Sequence, residues 1–210
     1  MSGILGVSPN MKSGVLGVAP RGQWQLLQEK ENLDGNTSWS EIDLGNGTVG
    51  GHVAEGANPF CGKYRDYKII GSEVGVSPGA TMRFRWSVGG LLTSGYKTVS
   101  EGKDSGGATR ETTSTNYDYA FITGAALIQA GTTGGYGGIN FEMYLNSARS
   151  ANRTIVWGHS AYRQDNYSGQ VQFTPFAANQ EGTPGPINYV RIYASASIRT
   201  AKISLYGLAL

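Results

Sequence analysis

The stretch Ala80–Val88, ATMRFRWSV, sets Met82, Phe84, Trp86 and Val88 on one side of an extended chain and Arg83 and Arg85 on the other. Side chains along a strand alternate with a period of two, so this is the pattern of an antiparallel strand with one face in a core and one toward water. The segment GINFEMYLN, residues 138–146, repeats it, with Ile139, Phe141, Met143 and Leu145 set against Asn140, Glu142 and Tyr144. Further strands are predicted at WQLLQ from Trp24, SEIDL from Ser40, YRDYKII from Tyr64, YDYAFIT from Tyr117, RTIVWGH from Arg153, GQVQFTPF from Gly169, PINYVRIYA from Pro186 and AKISLYGL from Ala201. That makes about ten strands between turn clusters.

No stretch places apolar residues at i, i+3, i+4 and i+7 over three turns, so no long helix is predicted. The parallel architectures whose crossovers need helices go with it. The expectation is an all-β protein, an antiparallel jelly-roll-like β-sandwich over residues 23–210. Trp86 and Trp157 are expected in its core. Two polar connections interrupt the pattern. SEGKDSGGATRETTSTN, residues 100–116, has no apolar side chain larger than Ala108 and reads as an exposed loop. AGTTGGYGG from Ala130 precedes a strand, and its glycines suit a tight turn or bulge.

Composition agrees with a turn-rich β protein, since the 32 glycines in 210 residues are about twice the usual share of roughly 7%. A chain of this length supports one substantial core. The net charge of +2 is too small for the basic stripe that phosphate backbones require, so nucleic acid is not an expected partner. Cys61 is the single cysteine, which excludes an internal disulfide. No apolar run reaches the length of a membrane span, and the N-terminus does not read as a signal peptide. The sequons at Asn36, Asn46, Asn152 and Asn166 are what a chain rich in Ser, Thr and Asn produces by chance.

The N-terminus repeats itself. Ser2–Pro9, SGILGVSP, returns as Ser13–Pro20, SGVLGVAP. Glycines deny this leader a helix and prolines break strand ladders, yet Ile4, Leu5, Val7, Val15, Leu16 and Val18 form an apolar strip. Residues 1–22 therefore read as an extended arm that another surface completes, with those six side chains as partner contacts.

The closing stretch PINYVRIYASASIRTAKISLYGLAL, Pro186–Leu210, resembles the last strands of a β-sandwich module common in virion proteins of tailed bacteriophages. YRDYKIIGSEV from Tyr64, TMRFRWSVGG from Thr81 and GGINFEMYLNSARSANRTIVWGHSAY from Gly137 are similar to strands and hairpins of that module. NMKSGVLG from Asn10 is similar to a segment that often precedes it in tail fibres. The resemblance implies a sandwich fold and a structural role on the virion, as a short tail-fibre or receptor-binding module, a homotrimer attached to other virion proteins through its arm. A capsid decoration protein that stabilises the shell is the alternative it leaves open.

Catalytic signals are weak. GHSAY, Gly158–Tyr162, begins like a nucleophile elbow but lacks the closing glycine and the following helix. His159 and Ser160 are adjacent, so on a strand they point to opposite faces. His52 and His159 belong to no cluster at ligand spacing, and GTTGGYGG lacks the Gly-Lys-Ser/Thr of a phosphate loop. The chain is therefore read as a non-enzyme without metal or cofactor, with a polysaccharide depolymerase as the third function considered. For a host glycan or protein receptor, the candidate contacts are Tyr162, Arg163, Asp165 and Tyr167 in AYRQDNYS, beside the loop Gly102–Asn116, because tyrosine offers a large rigid contact. Arg149 and Arg153 bracket a predicted hairpin, where solvated arginines are common.

Overall fold

The computed structural model describes residues 22–35, 37–45, 59–60, 64–87, 93–107, 109–123, 137–146, 154–163, 171–181, 185 and 187–209. These residues form an all-β, antiparallel, sandwich-like fold. Its strands are β1 (Trp24–Asn32), β2 (Trp39–Gly45), β3 (Tyr64–Val76), β4 (Met82–Ser87), β5 (Tyr96–Asp104), β6 (Thr109–Tyr117), β7 (Ala120–Phe121), β8 (Gly137–Asn146), β9 (Ile155–Arg163), β10 (Val171–Gln180) and β11 (Tyr189–Ala209).

β11 is the spine. Its first part, Tyr189–Ala194, lies between β2 and β4, and its second, Ile198–Ala209, between β1 and β3. Between them the small residues Ser195, Ala196 and Ser197 let the strand change direction. The bend is pinned by Ser195 N donating to Thr81 O at 3.0 Å, Thr81 N donating to Ser195 Oγ at 2.9 Å and Ser77 N donating to Ser197 O at 3.0 Å. One continuous sheet thereby becomes two wings. The long wing runs β1-β11-β3-β8-β9-β10-β5-β6, and the short wing runs β2-β11-β4-β7.

The wings close on each other through the faces that the alternation assigned inward. Phe84 of β4 meets Phe176 of β10 at 6.0 Å between ring centroids, and Trp86 meets Tyr96 of β5 edge to face at 4.8 Å. The Tyr96 hydroxyl donates to Trp86 O at 3.1 Å and accepts from Trp86 N at 2.9 Å, which satisfies a polar tip inside the core. Met82, Ile139, Phe141, Met143 and Leu145 belong to the same buried cluster. Close packing needs a glycine where Phe141 crosses β3, because a Cβ on Gly71 would sit 2.1 Å from the Phe141 ring.

Four expectations are corrected at this level. Residues 100–116 are not a loop but most of the hairpin β5–β6, turning through Ser105–Gly107 with Gly107 at φ +86°. The threonines of β6 explain it, since β-branched side chains favour an extended chain whether or not they are apolar. The strands predicted at Pro186 and Ala201 are the single strand β11, and the one predicted at Tyr117 shrinks to Ala120–Phe121. Trp157 is not in the core but on the outside of β9. Val88, at the end of the opening stretch, lies outside the described residues, as do residues 1–21.

Candidate functional site

The outward face of the long wing carries the least ordinary surface of the described residues. Register places one row of side chains across it: Leu26, Tyr206, Lys68, Tyr144, Trp157, Ala177, Val99 and Thr113 oppose one another in turn from β1 to β6. Its near half is aromatic and internally satisfied. Tyr144 stacks on Trp157 at 4.4 Å and 15°, and Trp24 meets Tyr144 edge-on at 6.1 Å. Lys68 Nζ lies 5.1 Å from the Trp24 ring, 5.6 Å from the Tyr206 ring and 3.5 Å from the Glu142 carboxylate. The Tyr144 hydroxyl donates to that carboxylate, and this bond, with some burial, holds its ionisation up to about 12.

The far half exposes large apolar side chains among charged ones such as Glu101, Lys103 and Glu111. Ile155 and Trp157 on β9, Val171 and Phe173 on β10 and Val99 on β5 are 56, 43, 55, 52 and 54% exposed. Soluble monomers seldom leave contiguous apolar patches beyond a few hundred Å² open to water, and those that do mark interaction sites. Between these strands runs a shallow groove of about 360 Å³ lined by Val99, Ile155, Ala177, Thr113 and Thr115. Lys97 also lines it, and its ammonium pairs with Glu181. A groove of this lining offers burial of methyl groups and little directional bonding, so it suits an apolar side chain of another polypeptide.

The outward face of the short wing is built from opposite materials. Arg191 on β11 forms a two-point bond to Asp43 of β2, at 2.9 and 3.0 Å, and reaches Glu41 at 2.8 Å. The Tyr189 hydroxyl also donates to Asp43, and burial followed by that bond raises its ionisation well above the ordinary tyrosine value. Arg85 pairs with Asp118 and lies 5.1 Å from the Tyr193 ring, while Arg83 stacks over Tyr119 at 4.1 Å. Tyr117 stacks on Tyr119 at 5.4 Å.

Of the receptor contacts proposed from the sequence, Tyr162 is corrected. It is 3% exposed, its ring faces the interior, and its hydroxyl donates to Thr123 O. Parity on β9 is the reason: Val156, Gly158, Ser160 and Tyr162 point inward, and Ile155, Trp157, His159 and Arg163 outward. Arg163 is exposed at the end of β9. It opposes Val171, whose carbonyl accepts from Ser105 N at 2.9 Å, so the end of β9 and the β5–β6 turn meet at one end of the long wing. Asp165 and Tyr167 lie outside the described residues, as do the leader residues Ile4, Leu5, Val7, Val15, Leu16 and Val18.

The geometry of GHSAY separates its two reactive side chains. Ser160 Oγ donates to Ile122 O at 2.7 Å inside the sandwich, and His159 lies outside with its ring 5.4 Å from that of Phe173. They are therefore no nucleophile–base pair. Among the described residues there is no group of three or more His, Cys, Asp or Glu placed to hold a metal ion, and no helix long and apolar enough to cross a membrane. The apolar face was missed from the sequence because its members come from three strands that register alone aligns. Compared with known proteins, the chain matches no family model, no curated protein and no solved structure.

Proposed function

We propose that this chain is a non-catalytic structural protein that works by assembly, with the outward face of β9, β10 and β5 as the surface on which another polypeptide packs. The observation that carries this reading is the apolar groove lined by Val99, Ile155 and Ala177, with Val99 and Ile155 each about half exposed and Trp157 exposed next to them on β9. Covering such a patch is favourable by about 25 cal/mol per Å² of apolar surface removed from water. The test is the state of association of the protein with and without a charge in the groove. Ile155→Asp is expected to leave the fold intact and to shift the protein toward monomer in sedimentation. An unchanged sedimentation profile rejects the reading.

The sequence likeness of Pro186–Leu210 and its companion strands to phage virion modules supports placing that assembly on a tailed-phage particle. The primary reading is a short tail-fibre or receptor-binding module, a trimer whose β5–β6 turn and Arg163 end face the host. Capsid decoration is the second. Quantitative mass spectrometry of purified particles separates them: a few copies per particle fit a tail appendage, and a coat-level number fits decoration.

A further inference from the structure

We infer that the polypeptide packing on this face is the N-terminal leader of a second copy of the same chain. The inference rests on the assembly reading above and names its partner. Three observations on the chain meet here. The groove is lined by Val99, Ile155, two alanines, three threonines and Asn179, with the ammonium of its one cation, Lys97, tied to Glu181. The leader matches it in chemistry: between Ser2 and Pro20 its one charged side chain is Lys12, and each repeat carries three large apolar residues, Ile4, Leu5 and Val7 or Val15, Leu16 and Val18. Glycine and proline keep such a segment from satisfying itself as helix or sheet, so its apolar side chains gain most by entering a preformed groove.

Reach supplies the third observation. The leader joins the described chain just before Trp24, whose ring lies on this same face against Tyr144, at the opposite end of the row from Val99. Six strand steps of ~4.8 Å separate the two ends, ~29 Å in all, and an extended chain at ~3.3 Å per residue covers that in about nine residues. Residues 2–20 are about twice as long as the face is wide when extended, which is enough chain to pass beyond their own subunit to the same face of a neighbour. Each chain then presents one groove and brings two near-identical repeats, and a leader held at one repeat delivers the other at high effective concentration.

The test compares the unaltered chain, a deletion, a point variant, a mixture of two single-cysteine chains and one chain carrying both cysteines. Deletion of residues 2–20 and Ile155→Asp are each expected to raise the dissociation constant of the assembly by at least about tenfold, with melting curves like that of the unaltered chain. In a Cys61→Ser background, a Val7→Cys chain mixed with a Val99→Cys chain is expected to give a disulfide between chains on oxidation. If the deletion assembles normally while Ile155→Asp does not, the leader is the wrong occupant and the docking face stands. If the disulfide forms only when both cysteines are on one chain, the leader covers its own subunit and the inference fails. If deletion and Ile155→Asp both assemble like the unaltered protein, or that protein is itself a monomer, the docking face falls as well.

Discussion

On the outside of the short wing, Arg83 and Arg85 find Tyr119 and Asp118 in the bend between β6 and β7, Arg191 finds Asp43 on β2, and the Tyr119 and Tyr193 rings meet between them. On the outside of the long wing, beyond Trp157, Val99 and Ile155 stand about half exposed around a groove, between charged positions such as Lys97 and Glu101 on β5. Both faces sit on the same pleated backbone and both turn away from the same core. A face whose charges pair with one another is complete as a monomer surface. Half-exposed methyl groups around a groove gain by being covered. The contrast is the reason the long wing, and not the short one, is proposed as the docking side.

The largest effect is expected in the core the two faces share. Phe84→Ala removes the ring that meets Phe176 between the wings and is expected to cost about 3–5 kcal/mol in urea denaturation, because the cavity it leaves cannot collapse in a sandwich pinned from both sides. A loss below 1 kcal/mol, within the ordinary scatter of surface changes, means that the wings are held by something other than this contact.

Alkaline pH gives the next largest effect. Burial pushes the hydroxyls of Tyr162 and Tyr193 up to about 12, and the bond to Glu142 with some burial does the same for Tyr144. These groups are protonated in both states at lower pH. As pH rises from about 10, the unfolded chain loses its protons first, so stability is lost through the window from about 10 to about 12. Tyr162 alone is expected to account for a loss on the order of 2 kcal/mol, and Tyr162→Phe is expected to flatten the corresponding part of a stability-against-pH curve. An identical slope in the variant removes Tyr162 from the account.

Arg191→Met sharpens the comparison of the faces directly. It strands Asp43, Glu41 and the Tyr189 hydroxyl around a missing cation, and is expected to destabilise the protein by about 1–3 kcal/mol, less than a fully buried pair because the site is partly open to solvent. Phe173→Ser on the long wing is expected to change monomer stability by no more than about 0.5 kcal/mol, since the side chain is half exposed to begin with. If Phe173→Ser costs more than Arg191→Met in the isolated subunit, the assignment of roles to the two faces is reversed.

The strand pattern and one face of each strand were legible in the sequence wherever large apolar residues alternate with polar ones. Met82, Phe84, Trp86, Ile139, Phe141, Met143 and Leu145 are buried as their spacing predicts. The pattern misleads where parity and polarity disagree. In IVWGHSAYR both registers contain large apolar residues, and what decides is Gly158, whose position cannot hold a Cβ because Glu142 O would lie 2.2 Å from it. That close approach is a property of the neighbouring strand, invisible along β9 alone, and it sends Trp157 outward and Tyr162 inward. In TRETTSTNY the apolar signal is absent and strand formation follows from threonine. The apolar groove was out of reach for a different reason, because Val99, Ile155 and Ala177 come together only through pairing among β5, β9 and β10.

β11 follows all four of its partners in the chain, and each wing has it as an interior strand. Residues 24–32 must therefore wait for residues 201–208 before they can pair. Such long separations slow folding, and a nascent chain of this kind exposes unpaired strand edges until β11 emerges. Quality control of this protein during synthesis is thus expected to turn on Tyr189–Ala209, and a ribosome stalled just short of them would hold two half-sheets with no seam between them.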